Sequence, residues 1–309
     1  MHRTNVVFLL DRNIYSQVLS LAKGAVMNEK TRFAAGIMAF ASCAKADIEP
    51  GLALYEGAAS GARGGWRRDL SLLRGADNIN PINWAALALG VFDQFTRKIP
   101  SRKLEPDAAK FNPSMRLKSF TFVYPIMLKV AILNRRSGSE DFKMSALLDW
   151  MYHSWQFSAP ATILAMQMFS SNRPKGAFKN IGSNKKTLVL AGISNTAWDL
   201  VYITEWFTRI KKQTAENELS VICSRDALLI KTAELLRQSI FQNGDVSFLV
   251  TAGFGAKVQM KYDAYISNLD DTSRAMVPWP KKFPSYRRRL VASLEEELTA
   301  AKQPPVRRS

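Results

Sequence analysis

The run Asn5-Val6-Val7-Phe8-Leu9-Leu10-Asp11-Arg12-Asn13 constrains this chain most. Continuous apolar residues bounded by polar ones read as a buried strand of a parallel sheet, and the run stops abruptly on a carboxylate. Asp11 therefore stands at the carboxyl end of that strand, where open α/β sheets place their sites. Taken alone it has a plain structural reading as the cap of the following helix. What distinguishes the two readings is whether other carboxylates arrive at comparable strand ends.

The chain supplies candidates. Ile14 to Lys23 and Lys30 to Lys45 have apolar residues at helical spacing. Asp47-Ile48-Glu49 is a very short strand or a turn, and Pro50 opens a helix from Gly51 to Ala59 that carries Glu56. Thr187 to Ile193 reads as a second buried strand, with Ser194-Asn195-Thr196 as a helix cap and Asp199 in the first turn that follows. Leu219 to Cys223 is a third, ending at Ser224-Arg225-Asp226 before a helix from Ala227 to Gln242. Val246 to Val250 closes the series as a further strand. Strands alternating with helices predict βαβ units and a parallel sheet. On that expectation Asp11, Asp199 and Asp226 lie on one sheet edge, and Glu56 reaches the same cleft. Four clustered carboxylates repel unless a cation compensates them, and an all-oxygen set suits Mg²⁺ or Mn²⁺.

The remaining chain is organised differently. Between Leu70 and Asn180 there are only helical patterns, over Trp84 to Lys98, Ser114 to Leu133 and Glu140 to Phe169. The apolar stretch Ser145 to Ser170 contains Asp149, His153, Gln156 and Pro160, which favours a buried core helix over a membrane span. From Ala256 onward the chain reads as an irregular basic tail. The expected division is a discontinuous core of residues 1–60 and 186–255, a helical insertion over 61–185, and a basic extension over 256–309.

Charge points to a partner. The 309 residues carry 43 Lys and Arg against 26 Asp and Glu, a net +17, and such a field favours polyanions, nucleic acid first among them. Two segments look suited to gripping phosphate: Ser60 to Arg68, with Arg63, Arg67, Arg68 and an aromatic at Trp66, and the loop Asn172 to Lys186, with Lys175, Lys179, Lys185 and Lys186. An ordinary solvated loop is the plain alternative for each. The two cysteines, Cys43 and Cys223, have no paired spacing, which fits a reducing, cytoplasmic setting and gives no zinc motif. With only His2 and His153, serine–histidine or cysteine–histidine catalysis would depend on His153 alone. Asp11 and Arg12 interrupt the N-terminal apolar run, so it does not read as a secretory signal. The glycines of Ala252-Gly253-Phe254-Gly255 lack the third glycine of a dinucleotide fingerprint, Val258 standing in its place.

These motifs resemble a family. Phe8-Leu9-Leu10-Asp11-Arg12-Asn13 resembles the opening of PIN-domain proteins, Leu52-Ala53-Leu54-Tyr55-Glu56 their helix-borne glutamate, Asn195 to Leu200 their third acid, and Cys223-Ser224-Arg225-Asp226 their T/S-x-D signature. The motifs occur in the family's order and cover residues 1–60 and 186–251. The long insertion and Arg12, where a small residue is usual, depart from the pattern. The resemblance implies an α/β, PIN-like parallel sheet flanked by helices with a mainly helical insertion. It also implies a divalent-metal-dependent endoribonuclease of the toxin, RNA-processing or defence type, with Asp11, Glu56, Asp199 and Asp226 as metal ligands, RNA as substrate, and an inhibitory or regulatory protein as partner. The alternative is a non-catalytic nucleic-acid-binding or scaffold protein with a degenerate acidic pocket.

Overall fold

A computed structural model of the chain describes residues 4–61, 65–106, 111–113, 115, 117–170, 178–241, 250, 253–270 and 283–300. The fold is mixed α/β and mostly helical, with three parallel strands and twelve helices among the described residues. It divides into two compact units, the first formed by residues 1–117 and 205–226, the second by residues 118–204 and 227–309.

The first unit is built on β1 (Asn5–Leu10), β2 (Asp47–Glu49) and β3 (Glu218–Cys223). Their order is β2-β1-β3, and β1 pairs in parallel with both neighbours: Val7 to Leu9 against Asp47 to Glu49, and Asn5 to Leu10 against Glu218 to Cys223. A central strand covered on both faces must be apolar at successive positions. Val7, Phe8, Leu9 and Leu10 are all buried accordingly. Around the sheet stand α1 (Arg12–Ala22), α2 (Glu29–Ala44), α3 (Gly51–Ala59), α4 (Trp66–Asp77) and α5 (Pro81–Leu89). Asn28 and Thr31 form a reciprocal capping box at the start of α2. Asn80 caps α5 with Pro81 at its first position, and Gly90, at φ 76°, ends it in a left-handed turn. Leu70, Leu73 and Ala76 of α4 and Trp84 and Leu87 of α5 share one core with β1, α1 and α2. Two helices from the expected insertion are thus part of the packing that supports the sheet.

The second unit is helical among its described residues: α6 (Lys118–Arg135), α7 (Glu140–Ser154), α8 (Ala159–Phe169), most of α9 (Lys186–Glu216), α10 (Ala227–Phe241), α11 (Ala256–Asp270) and α12 (Phe283–Ala300). The pattern over Glu140 to Phe169 is two helices, separated where Trp155 breaks α7 and Ser158 caps α8. Helix α8 is buried almost all round, and its one buried amide, Gln167 Nε2, donates to Thr232 Oγ1 at 2.7 Å. No helix among the described residues is long and apolar enough to cross a membrane.

Three expectations are corrected. Thr187 to Ile193 is not a strand but the first two turns of α9. Val189, Ile193, Ala197, Leu200 and Val201 are buried at intervals of three and four, and over that longer window the helical period overrides the apolar run. Ser194 and Asn195 are consequently interior helix positions rather than a cap. The chain from Ala256 is not irregular, because α11 and α12 are regular helices. Helix α12 is fixed by Tyr124 Oη donating to Glu295 Oε1 at 2.9 Å and by Arg136 paired with Glu297 at 2.6 Å. Trp84 to Lys98 is helical only as far as Leu89, ending at Gly90. Residues 246–249 of the expected last strand lie outside the described residues.

Candidate functional site

The carboxyl edge of the sheet in the first unit is where the candidate residues gather. The Asp11 N–H donates to the Cys223 carbonyl at 3.0 Å, which extends the β1–β3 ladder one residue past the strands and sets Asp11 beside Ser224. Asp11 is 4% exposed. Its Oδ1 accepts the Ile14 N–H at 2.7 Å and so caps α1, while its Oδ2 accepts the Ser224 hydroxyl. The Asp226 N–H in turn donates to Ser224 Oγ at 3.0 Å. One serine therefore joins the ends of β1 and β3 and carries a hydrogen-bonded chain from the Asp226 backbone to the Asp11 carboxylate.

Electrostatics mark the same place. Burial pushes the Asp11 carboxyl above the ordinary carboxylate value, the nearby Asp226 charge pushes the same way, and the Ile14 N–H, the Ser224 hydroxyl and the Asn13 N–H oppose them. The neighbouring Cys223 thiol is pushed up to about 12, by burial first and by the Asp11 charge second. Glu56, on α3, reaches the residue after Asp11: its Oε1 is 3.9 Å from Arg12 Nη1, and its side chain is only 16% exposed. Arg12, the departure from the family pattern, thus faces the family-type glutamate.

Asp199 is placed otherwise. It belongs to the second unit and lies in the interior of α9, so the argument from strand ends that brought it into the set no longer applies. Of the phosphate-contact candidates, Arg67 and Arg68 are exposed in the first turn of α4, with the Arg67 guanidinium 5.1 Å from the centre of the Trp66 ring. Trp66 is not a free platform, because it meets Phe111 edge-on at 5.6 Å. Lys179, Lys185 and Lys186 are exposed in the second unit, whereas Arg63 and Lys175 lie outside the described residues. His153 meets Tyr265 Oη at 3.4 Å, and Tyr265 donates to Asp149.

Two features went unread in the sequence. Ser224 is in sequence one letter of the T/S-x-D signature; in the structure its hydroxyl donates to the Asp11 carboxylate and accepts the Asp226 backbone N–H. The apolar residues of α2 divide between two faces: Ala34, Ala35, Met38 and Ala41 are buried, while Phe33 is 45% and Phe40 65% exposed. A helix with two apolar faces is the signal for a second surface.

The donor set was tested for a metal. Among the described residues no group of three His, Cys, Asp and Glu could hold an ion. Asp11 and Asp226 nevertheless meet a looser requirement, since Mg²⁺ commonly takes one or two carboxylates and fills its other positions with water and substrate phosphate oxygens. Each Asp11 oxygen spends one hydrogen bond and keeps acceptor capacity for another partner. Comparison of the chain with family models, curated proteins and solved structures finds no match in any of the three. The resemblance to PIN-domain proteins accordingly rests on sequence motifs alone, and the one at Asn195 to Leu200 falls inside a helix rather than at its start.

Proposed function

We propose that the sheet edge of the first unit is a divalent-metal-dependent phosphodiesterase site acting on nucleic acid, with RNA as the substrate that the family resemblance implies. The observation that carries this reading is the joining of Asp11 and Asp226 through Ser224 at adjacent strand ends, with the Asp11 carboxyl raised by burial and by its neighbour's charge. A pair of acids held under mutual repulsion is stabilised by a cation between them. Mg²⁺ or Mn²⁺ so held would activate water and offset charge on the phosphate. In this reading Asp11 is the rigid ligand, because its backbone is pinned in the ladder and its side chain in the helix cap. Asp226 is the second ligand, Ser224 sets the spacing of the two, and Glu56 with Arg12 forms the opposite wall. Exposed cations, Arg67 and Arg68 among them, hold the polyanion. Asp199 is not assigned a role.

A second reading has its own observation. Both Asp11 oxygens already have a structural partner, one as the helix cap and one as the Ser224 acceptor, and no three-ligand group is present among the described residues, as in a protein that binds nucleic acid without cutting it. One experiment separates the two: a labelled single-stranded RNA is incubated with purified protein and Mn²⁺, with Asp11→Asn, with Asp226→Asn, and with chelator. The phosphodiesterase reading expects each substitution to lower cleavage by about a hundredfold and chelator to abolish it. If binding persists but neither substitution nor chelation changes cleavage, the site is not catalytic.

A further inference from the structure

A groove of about 700 Å³ reaches Ser224, whose hydroxyl donates to Asp11 and accepts the Asp226 N–H. One wall is α2, which presents Phe33, Ile37 and Phe40 at spacings of four and three on one face. The other is β3, one of the sheet's two edge strands among the described residues, with Val221 and Ile222. Phe8 of the central strand forms part of the floor, 5.8 Å from the Phe40 ring centre. Arg32 and Arg225 stand at the rim against a single acid, Glu29. The Arg225 guanidinium lies 5.6 Å from the centre of the Phe33 ring and pairs with Glu29 at 2.8 Å. Ser224, the serine that bonds Asp11, lines the groove's end.

We infer that this groove binds the unstacked bases of a single-stranded nucleic acid and sets the adjoining phosphodiester at the Asp11–Asp226 edge. An apolar groove of this size with half-exposed aromatic rings is a binding surface rather than ordinary exterior. Its chemistry selects the occupant. Aromatic faces interleaved with guanidinium planes stack bases of any sequence, and the chain's net charge of +17 favours a polyanion over an apolar or basic peptide. A duplex keeps its bases stacked inside and offers the rings no partner, so the occupant is single-stranded. Continuity through Ser224 makes the groove the substrate-binding half of the proposed site, and in that respect the inference rests on the phosphodiesterase reading.

The test is fluorescence anisotropy with the full-length protein in chelator, so that binding is read without cleavage. The probes are a labelled oligouridylate and an abasic sugar–phosphate oligomer of equal length and charge. The wild type should bind the oligouridylate about tenfold or more tightly than the abasic strand. Phe33→Ala and Phe40→Ala should each remove about tenfold from oligouridylate affinity and leave abasic affinity unchanged. Phe33→Leu and Phe40→Leu keep the apolar bulk and lose the flat face; they should show the same loss with unchanged thermal unfolding, which separates stacking from misfolding. Equal binding of the two strands by wild type, or ring variants that bind oligouridylate normally, overturns the inference, including the case in which those variants lose only an apolar peptide. Base-dependent binding with no metal-dependent cleavage upholds the groove and removes the phosphodiesterase reading; cleavage that ignores the rings does the reverse.

Discussion

Asp11 does two kinds of work, and they pull its energetics in opposite directions. As the cap of α1 it accepts the Ile14 N–H, a contact worth about 1 kcal/mol in comparable helices. As a buried acid it holds its proton more tightly in the native state than the ordinary value of 3.8. Below that ordinary value the group is protonated whether the chain is folded or not, and it contributes nothing to pH dependence. As pH rises through 3.8 the unfolded chain releases its proton first, so native stability falls until the raised native value is passed and the cost becomes constant. Asparagine caps helices about as well as aspartate and escapes this cost, and the Ser224 hydroxyl can serve an amide as well as a carboxylate. Asp11→Asn is therefore expected to unfold at an equal or higher temperature than wild type at neutral pH, with any excess disappearing below the ordinary carboxylate value, as followed by circular dichroism across pH. A variant that loses cleavage without losing stability is the signature of a residue kept for chemistry. A marked loss of stability at neutral pH would reduce Asp11 to its structural role.

At the scale of elements, close approaches decide which small residues are required. A Cβ added at Gly75 of α4 would stand 2.0 Å from the Pro100 carbonyl oxygen, while one at Gly57 of α3 meets nothing within 4 Å. Both glycines are inside helices, so propensity favours alanine at each by about 0.5–1 kcal/mol. Gly75→Ala should nonetheless destabilise by about 1–3 kcal/mol through overpacking, whereas Gly57→Ala should stabilise by the propensity term. Paired urea denaturation curves read the difference directly, and similar midpoints for the two variants would mean that the segment around Pro100 yields freely. The same scale shows what was legible in the sequence. Helix α3 is read at its observed limits because Pro50 opens it, and α1 and α2 are read within two residues of theirs from apolar residues at helical spacing. The edge set of Asp11 and Asp226 follows from two true strands. Asp199 entered through a seven-residue apolar run, and a run that short fits a buried strand and a buried helix equally; the four-residue spacing of Val189, Ile193 and Ala197 held the answer. The α2 groove stayed hidden because Phe33 and Phe40 look the same in sequence whether they face a core or an opening.

For the whole molecule, chain order and charge each carry a consequence. The central strand β1 pairs with β2 at three positions and with β3 at six, and β3 enters from residues 205–226, far along the chain. A fragment of residues 1–117 would leave the β3 side of β1 unpaired, including the Asp11 N–H, and would lose the apolar cover of the strand and ladder hydrogen bonds worth about 0.5–1.5 kcal/mol each. Such a fragment should show no cooperative thermal unfolding, and a sharp transition from it would mean that the unit does not depend on its distant strand. Charge acts at longer range. With a net +17 the affinity for single strands should contain a large counterion-release term, separate from any stacking in the α2 groove. For a footprint of about five phosphates, raising salt from about 50 to about 200 mM should weaken binding about a hundredfold, with a log–log slope near about −3.5. Phe33→Ala should shift the line without changing that slope, because a ring releases no counterions, whereas replacing phosphate-contacting arginines such as Arg67 and Arg68 should flatten it. A slope near zero in the wild type would show that the positive excess serves something other than a polyanion, and the nucleic-acid reading would fall with it.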